Sequence, residues 1–382
     1  MLNPDEIERI GNTVESFMAP VTEYLIREIA RRITEAGQLT STAAYEMWRL
    51  QKLGVSKSKM EKKLQKLLKV SESQLTTILA QSAKVGYNYD IKSFPQAEAF
   101  ENNPAIKGIV SMYTNSALST LDNLTGTTAL GFLTYDGLKK TFHPIDDGIT
   151  KACDIAFAKV STGAADINTA VREATQGLAD RGIVSFNYEN GRTTEVSAAV
   201  KRNVMSSLGE MQAQISQTNH DELGANGWEI SAHFASAPDH EPIQGKQYSD
   251  KDYQTLNDSL VRRIGTLNCG HTAHPIILGI SEPQYTQAEL DRMRTENEKG
   301  VIYHGEHFTT YEVTQRQRAY ERAIRKAKRK KLISEEQAKV NPKFAKQAEI
   351  DRTKLRMLVT EYKDFSNATG LRTQIERTWV AK

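Results

Sequence analysis

At 382 residues, with 39% hydrophobic and 25% charged side chains, the chain is long enough for two or three ordinary cores, and its mean hydropathy of -0.53 implies a large polar surface. There is no run of about 18 apolar residues and no charged-then-apolar leader after Met1, so neither a membrane span nor a secretory signal is expected. Two cysteines, Cys153 and Cys269, exclude a disulfide framework and fit folding in a reducing cytoplasm, while a net charge of +3 does not by itself imply a nucleic-acid partner.

Residues 5–36 read as a helix. Ile7, Ile10, Val14, Phe17, Leu25, Ile29 and Ile33 recur at helical spacing, Pro20 predicts a kink or break, and Gly37 ends the run. Thr40 or Ser41 is expected to cap a second helix carrying Tyr45, Trp48 and Leu50 and stopping near Gly54. A third follows Ser56, with Met60, Leu64, Leu67 and Leu68 opposite Lys57, Lys59, Lys62, Lys63 and Lys66, which read as a solvated face. Ser71 is expected to cap a fourth, with Leu75, Ile78 and Leu79; short antiparallel helices suit this series of caps and breakers.

Tyr87 to Pro104 is polar and interrupted by Pro95, and reads as a connection. Helix resumes through Ile109, Met112, Leu118, Leu121 and Leu124. The stretch GTTALG, Gly126 to Gly131, lacks the Gly-Lys-Ser/Thr that a phosphate loop requires. Residues 146–181 again read as helix, stopped by Gly182. Ile183 to Tyr188 alternates like a short strand, and Glu189-Asn190-Gly191-Arg192 is a tight-turn sequence. Thr193 or Thr194 is expected to cap a long helix through Val196, Val204, Leu208 and Ile215, after which Trp228 to Phe234 alternates like a strand.

The next segment concentrates soft-metal chemistry. SAHFASAPDHEPIQGKQYS, from Ser231, and LNCGHTAHP, ending at Pro275, hold His233, His240, Cys269, His271 and His274, with His220 just upstream. Imidazole and thiolate are the donors a borderline cation such as zinc takes. The spacing is irregular for a structural zinc site, so two readings stand: a metal centre, or a packed turn whose histidines hydrogen-bond the backbone.

Residues 300–312 read as a hairpin or strand with His304 and His307; HGEH is not the HExxH helix of a metalloprotease. The rest is helical. Between Arg316 and Lys331 nine basic residues stand against Glu321 alone. Val313, Tyr320, Ile324 and Ala327 form an apolar line, and Arg318, Arg322, Arg325 and Arg329 a cationic one nearly opposite it, able to contact phosphates without reading sequence or to meet an acidic protein surface. Pro342 separates a final helix, which Gly370 breaks. The fold class expected is mainly α with a small α+β module. Helical regions at 1–86 and 105–182 precede an α+β module at 183–310, and basic helices at 311–382 close the chain.

Four ordered stretches resemble a known family. They are SAHFASAPDHEPIQGKQYS, the NCGH of Asn268 to His271, YEVTQRQRAYERAIRKAKR from Tyr311, and ATGLRTQIER from Ala368. Together with GRTTEVSAAVKRNVMSSL and MWRLQKLGVSKSKMEKKL, they are similar to the phage minor capsid protein 2 family nearly end to end. Ala237, Ile243 and Gly270 stand where the family typically carries Arg, an aromatic and Arg. The resemblance implies a structural, non-enzymatic protein of a tailed-phage head, in the virion near the portal or the capsid interior. Its implied partners are the portal and other capsid proteins, with genomic DNA as a further contact. The alternative is a metal-dependent hydrolase or nuclease, for which Asp239 or Glu241 would serve as base.

Overall fold

Apolar side chains three and four apart line one side of α1 (Pro4–Gly37) and bury Val14, Met18, Val21, Leu25, Ile29 and Ile33. The structure is a computed structural model that describes residues 4–94, 97–126, 129–136, 139–186, 191–266 and 269–380. Pro20 lies inside α1 without ending it. The lost hydrogen bond is offset by burial of the stripe on both sides of Pro20 in one core.

Where three short helices are expected, a single helix, α2 (Thr42–Asp90), runs for 49 residues. Ser41 caps it as expected, accepting from the Ala44 amide at 3.5 Å. Ser71 is no cap: its hydroxyl donates to the Leu67 carbonyl at 3.3 Å inside the helix. Met60, Leu64, Leu67, Ser71, Leu75, Leu79 and Ala83 keep one face toward the core across the presumed break at Ser71, and that burial overrides the weak helix propensity of Ser71. Lys62, Lys63 and Lys66 are exposed; the side chains of Lys57 and Lys59 lie outside the described residues.

Asn103 caps α3 (Pro104–Thr125), accepting from the amides of Ala105 and Ile106 at 3.0 and 3.2 Å. A hairpin then follows inside a region expected to be helical, β1 (Leu130–Asp136) against β2 (Lys139–Pro144), with Phe132 opposite His143. The expected helix at 146–181 is three, α4 (Ile145–Ser161), α5 (Ile167–Ala174) and α6 (Gln176–Arg181), because Gly163 turns the chain at φ +73° and Asp166 caps a new start. Gly182 stops α6 at φ +73°, as expected. β3 (Val184–Phe186) pairs with β1 and with β4 (Thr193–Glu195), giving an antiparallel sheet in the order β2-β1-β3-β4. Thr193 and Thr194 are therefore strand residues, and α7 (Val196–Leu223) starts after Glu195 with no side-chain cap. The turn expected at Glu189-Asn190 lies outside the described residues.

The module is a second antiparallel sheet, β5 (Gly227–Ile230) between β6 (Gln247–Ser249) and β7 (Ala273–Ile276). β5 ends at Ile230, short of the expected Phe234, since the chain turns away through Ala235 at φ +56°. α8 (Asp250–Ser259) and α9 (Gln287–Lys299) follow β6 and β7, then the expected hairpin of β8 (Val301–Tyr303) and β9 (Glu306–Phe308). α10 (Thr310–Val340) and α11 (Ala345–Thr369) form an antiparallel pair, joined by Gln317 to Ser366 and Glu321 to Tyr362, and Gly370 ends α11.

One cluster of buried side chains runs from Val14 to Val380 and unites α1, α2, α3, α4, α7 and the end of α10. The module's own core is small, with Ile230, Ile264 and Cys269 as its buried members. The fold is mainly α with a small α+β module. Among the described residues, no helix is long and apolar enough to cross a membrane.

Candidate metal centre and cationic cleft

Two segments carry the His/Cys cluster, 231–246 and, among the described residues, 260–266 with 269–272, and the sheet fixes their ends. Glu229 pairs in register with Gln247 on one side and His274 on the other. The Ser231 amide donates to the Thr272 carbonyl at 2.8 Å, and the Thr272 amide to the Ser231 hydroxyl at 2.9 Å. The second segment lies backbone to backbone on α7, where Gly209 leaves no side chain between it and Gly265.

Of the five residues expected to gather, three do so tightly. His240, Cys269 and His271 are buried, and their ligand atoms lie within 4.8 Å of one another. Cys269 Sγ is 3.3 Å from His240 Nδ1 and 3.5 Å from His271 Nδ1. The far nitrogens are held as well, His240 Nε2 at 2.8 Å from the Arg262 carbonyl and His271 Nε2 at 3.0 Å from Gln244 Oε1. Burial, then the fields of His233, His240 and Arg262, pushes His271 down to about 2. Burial also raises the Cys269 thiol, against backbone amides of His271 and Gly265 that lower it.

His233 is adjacent but not in that group. Its ring lies against His271 with centroids 4.2 Å apart, its Nδ1 donates to the Phe234 carbonyl at 2.9 Å, and its Nε2 is buried without a hydrogen-bond partner. Burial lowers its pKa. His274 stands elsewhere, edge-on to Tyr89 at 5.6 Å with Nε2 3.9 Å from Glu229, and burial pushes it down to about 4. The β7 register explains this: His274 sits opposite Glu229 in the sheet, whereas His271 lies in the loop before the strand. His220 is also apart, stacked on Trp228 and bonded to Asp221 and Asp250. Asp239 pairs with Arg262 at 3.1 Å and Glu241 accepts from Asn297 at 3.2 Å, so each of the acids considered as a base already has a partner.

His233, His240, Cys269 and His271 also form one wall of a cleft of about 610 Å³. Arg318, Arg322 and Arg325 of α10 face it, as do Lys201 and Arg202 of α7 and Arg372 and Arg377 beyond α11. With Arg262, eight cations line it against two carboxylates, Glu15 and Glu321. Glu15 pairs with Lys201 at 3.2 Å, while Glu321 lies 3.7 Å from Arg377 and accepts from the Tyr362 hydroxyl at 3.1 Å. Sequence reasoning missed Lys201, Arg202, Arg372 and Arg377, which only the packing of α7 and the C-terminal segment brings to α10.

The expected four-arginine line is shortened. Arg329 is buried and donates to the Ala179 and Asp180 carbonyls at 3.4 and 3.0 Å, because α6 ends against this turn of α10 and offers its unpaired carbonyls. Burial lowers its pKa. Arg325 is half-buried and donates to the Arg377 carbonyl at 2.6 Å; Arg318 and Arg322 are exposed.

These features define a mainly α protein whose long helices share one core and carry a small module on α7. The profile of the family described as phage minor capsid protein 2 matches residues 2–366, and the chain belongs to that family. It is a structural protein of the bacteriophage capsid, with other capsid proteins as its partners. Neither a curated protein nor a solved structure matches it.

Proposed function

We propose that this capsid protein, made in the host cytoplasm, takes its place in a tailed-phage head near the portal or on the capsid interior and contacts packaged DNA through the cationic cleft. In this reading the helical regions at 1–86, 105–182 and 311–382 meet the portal and other virion proteins, and the module at 183–310 closes one side of the cleft. The observation that carries it is the lining of eight cations against two carboxylates, drawn from four separate parts of the chain. Such a lining suits phosphate, which guanidinium groups hold by paired, charge-assisted hydrogen bonds without reading base sequence.

The test is DNA binding across a salt series, with the wild type beside Arg318→Ala/Arg322→Ala. The wild type is expected to bind in a steeply salt-dependent way, and the double variant to reduce the slope by about 1–2. Absence of binding at low salt would end the reading.

A second reading, a metal-dependent hydrolase or nuclease, is favoured by one observation: the His/Cys cluster opens on the same cleft. Incubation of the purified protein with DNA and with peptide in zinc, magnesium and manganese tests it. Absence of cleavage removes it; cleavage lost in His271→Ala with the fold intact would put it first.

A further inference from the structure

We propose that His240, Cys269 and His271 bind one zinc ion and that His233 is its fourth ligand, so that the ion ties the two irregular segments of the module together.

The hydrogen bonds around the cluster determine where its protons are. The Arg262 carbonyl can only accept, so His240 carries its proton on Nε2 and presents an Nδ1 lone pair. Gln244 Oε1 also accepts from the His233 amide at 3.1 Å, which identifies that atom as the oxygen, so His271 likewise carries its proton on Nε2. Two imidazole lone pairs therefore converge on Cys269 Sγ. A thiol has one hydrogen and can satisfy one of them, leaving a buried acceptor facing sulfur, which is destabilising. A cation bound to thiolate and both nitrogens satisfies all three at once. The carbonyl-type partners on the far nitrogens are those that orient histidine ligands toward metals.

The distances agree with that assignment. Zinc bound at about 2.3 Å to sulfur and 2.0–2.1 Å to nitrogen in a tetrahedron separates the two donors by roughly 3.5 Å. The observed separations are 3.3 and 3.5 Å.

A third imidazole lone pair waits beside them. His233 donates from Nδ1 to the Phe234 carbonyl, so its Nε2 is the unprotonated atom, buried and without a partner. A Cβ at position 270 would stand 3.0 Å from this Nε2, so Gly270 leaves the room that His233 needs to turn toward the ion. The module's own apolar cluster is small, with Ile230, Ile264 and Cys269 as its buried members. Domains so thinly cored are commonly tied by disulfides or metal, and this chain has no disulfide. The donor set, two or three imidazoles and one thiolate, suits zinc better than magnesium or calcium, which take oxygen ligands.

The test uses the full chain, purified without a histidine tag, with elemental mass spectrometry for metal and absorption spectroscopy of the cobalt(II)-substituted protein. About one zinc per chain is expected in the wild type and in His274→Ala, with a loss of at least tenfold in Cys269→Ala and His271→Ala. His233→Ala should bind cobalt at least tenfold more weakly, the order seen when a metal site loses a supporting group. Where a ligand variant fails to fold, the wild type decides alone: a thiolate-to-cobalt charge-transfer band on titration supports the site. Folded wild type that carries no zinc and gives no such band overturns it, as does undiminished affinity in folded Cys269→Ala. Unchanged affinity in His233→Ala overturns the assignment of the fourth ligand.

Discussion

Gly209 of α7 and Gly265 of the module meet so closely that a Cβ on Gly209 would stand 1.8 Å from the Gly265 carbonyl oxygen. No rotamer relieves a clash with backbone, so Gly209→Ala has to lift the 260–272 segment from α7. In an unobstructed helix the exchange would stabilise by about 1 kcal/mol; here a net loss of about 1–3 kcal/mol is expected from overpacking. Urea unfolding followed by Trp fluorescence reads it. A midpoint equal to or above the wild type's would show that the segment does not depend on this contact.

Asp90 gives a pH-dependent prediction. Burial raises its carboxyl from 3.8 to about 6, although the Ser216 hydroxyl and Asn219 amide donate to it at 2.6 and 3.2 Å. Between those pH values the folded protein holds a proton that the unfolded chain has released. Its contribution therefore falls as pH rises from about 4 to about 6 and is level above that. Asp90→Asn is neutral throughout, so its stability relative to the wild type is expected to grow by up to about 3 kcal/mol between pH 4 and pH 7. Denaturant melts of both proteins at the two pH values measure this, and a difference independent of pH would contradict it.

Arg329 and the pair Arg318 and Arg322 should separate stability from binding. Arg329→Ala leaves the α6 carbonyls of Ala179 and Asp180 without their donor, and a loss of about 1–3 kcal/mol is expected with little change in the salt slope of DNA binding. Arg318→Ala/Arg322→Ala should change the slope and leave the melting temperature within a degree or two, since exposed substitutions cost about 0.5 kcal/mol or less. Equal effects of both variants on the slope would return Arg329 to the binding surface.

Pro20→Ala tests the continuity of α1. Proline inside a helix forgoes a backbone hydrogen bond and crowds the preceding turn, at a cost of up to about 3 kcal/mol. Since α1 passes straight through this position, the alanine variant should melt higher. A lower melting temperature would mean that the packing requires proline's shape.

Periodicity made the helices visible but not their joins. Ser71 has the residue type of a cap, yet the apolar spacing from Met60 to Ala83 runs through it without a change of phase, and that unbroken stripe is the better guide. Signals for α9 and α10 were present as Thr286 with Glu289 and Thr309 with Glu312, both of which form capping boxes. The hairpin of β1 and β2 interrupts a helical stretch and depends on partners from β3, far along the chain. For the cluster, residue type brought attention to the right segment, but proximity in sequence could not divide His271 from His274, three residues apart on opposite sides of a loop-to-strand boundary. Nor could it foresee that α6 would cover Arg329.

α2 has one more consequence. At 1.5 Å per residue its 49 residues extend for roughly 73 Å, whereas a compact sphere of 382 residues, with a radius of gyration of about 21 Å, would be only some 54 Å across, roughly. Both ends are pinned, one where the Tyr45 hydroxyl donates to Asp154 at 2.5 Å and its ring stacks on Phe157, the other where Asp90 meets Ser216 of α7. A beam fixed at both ends dictates a long axis.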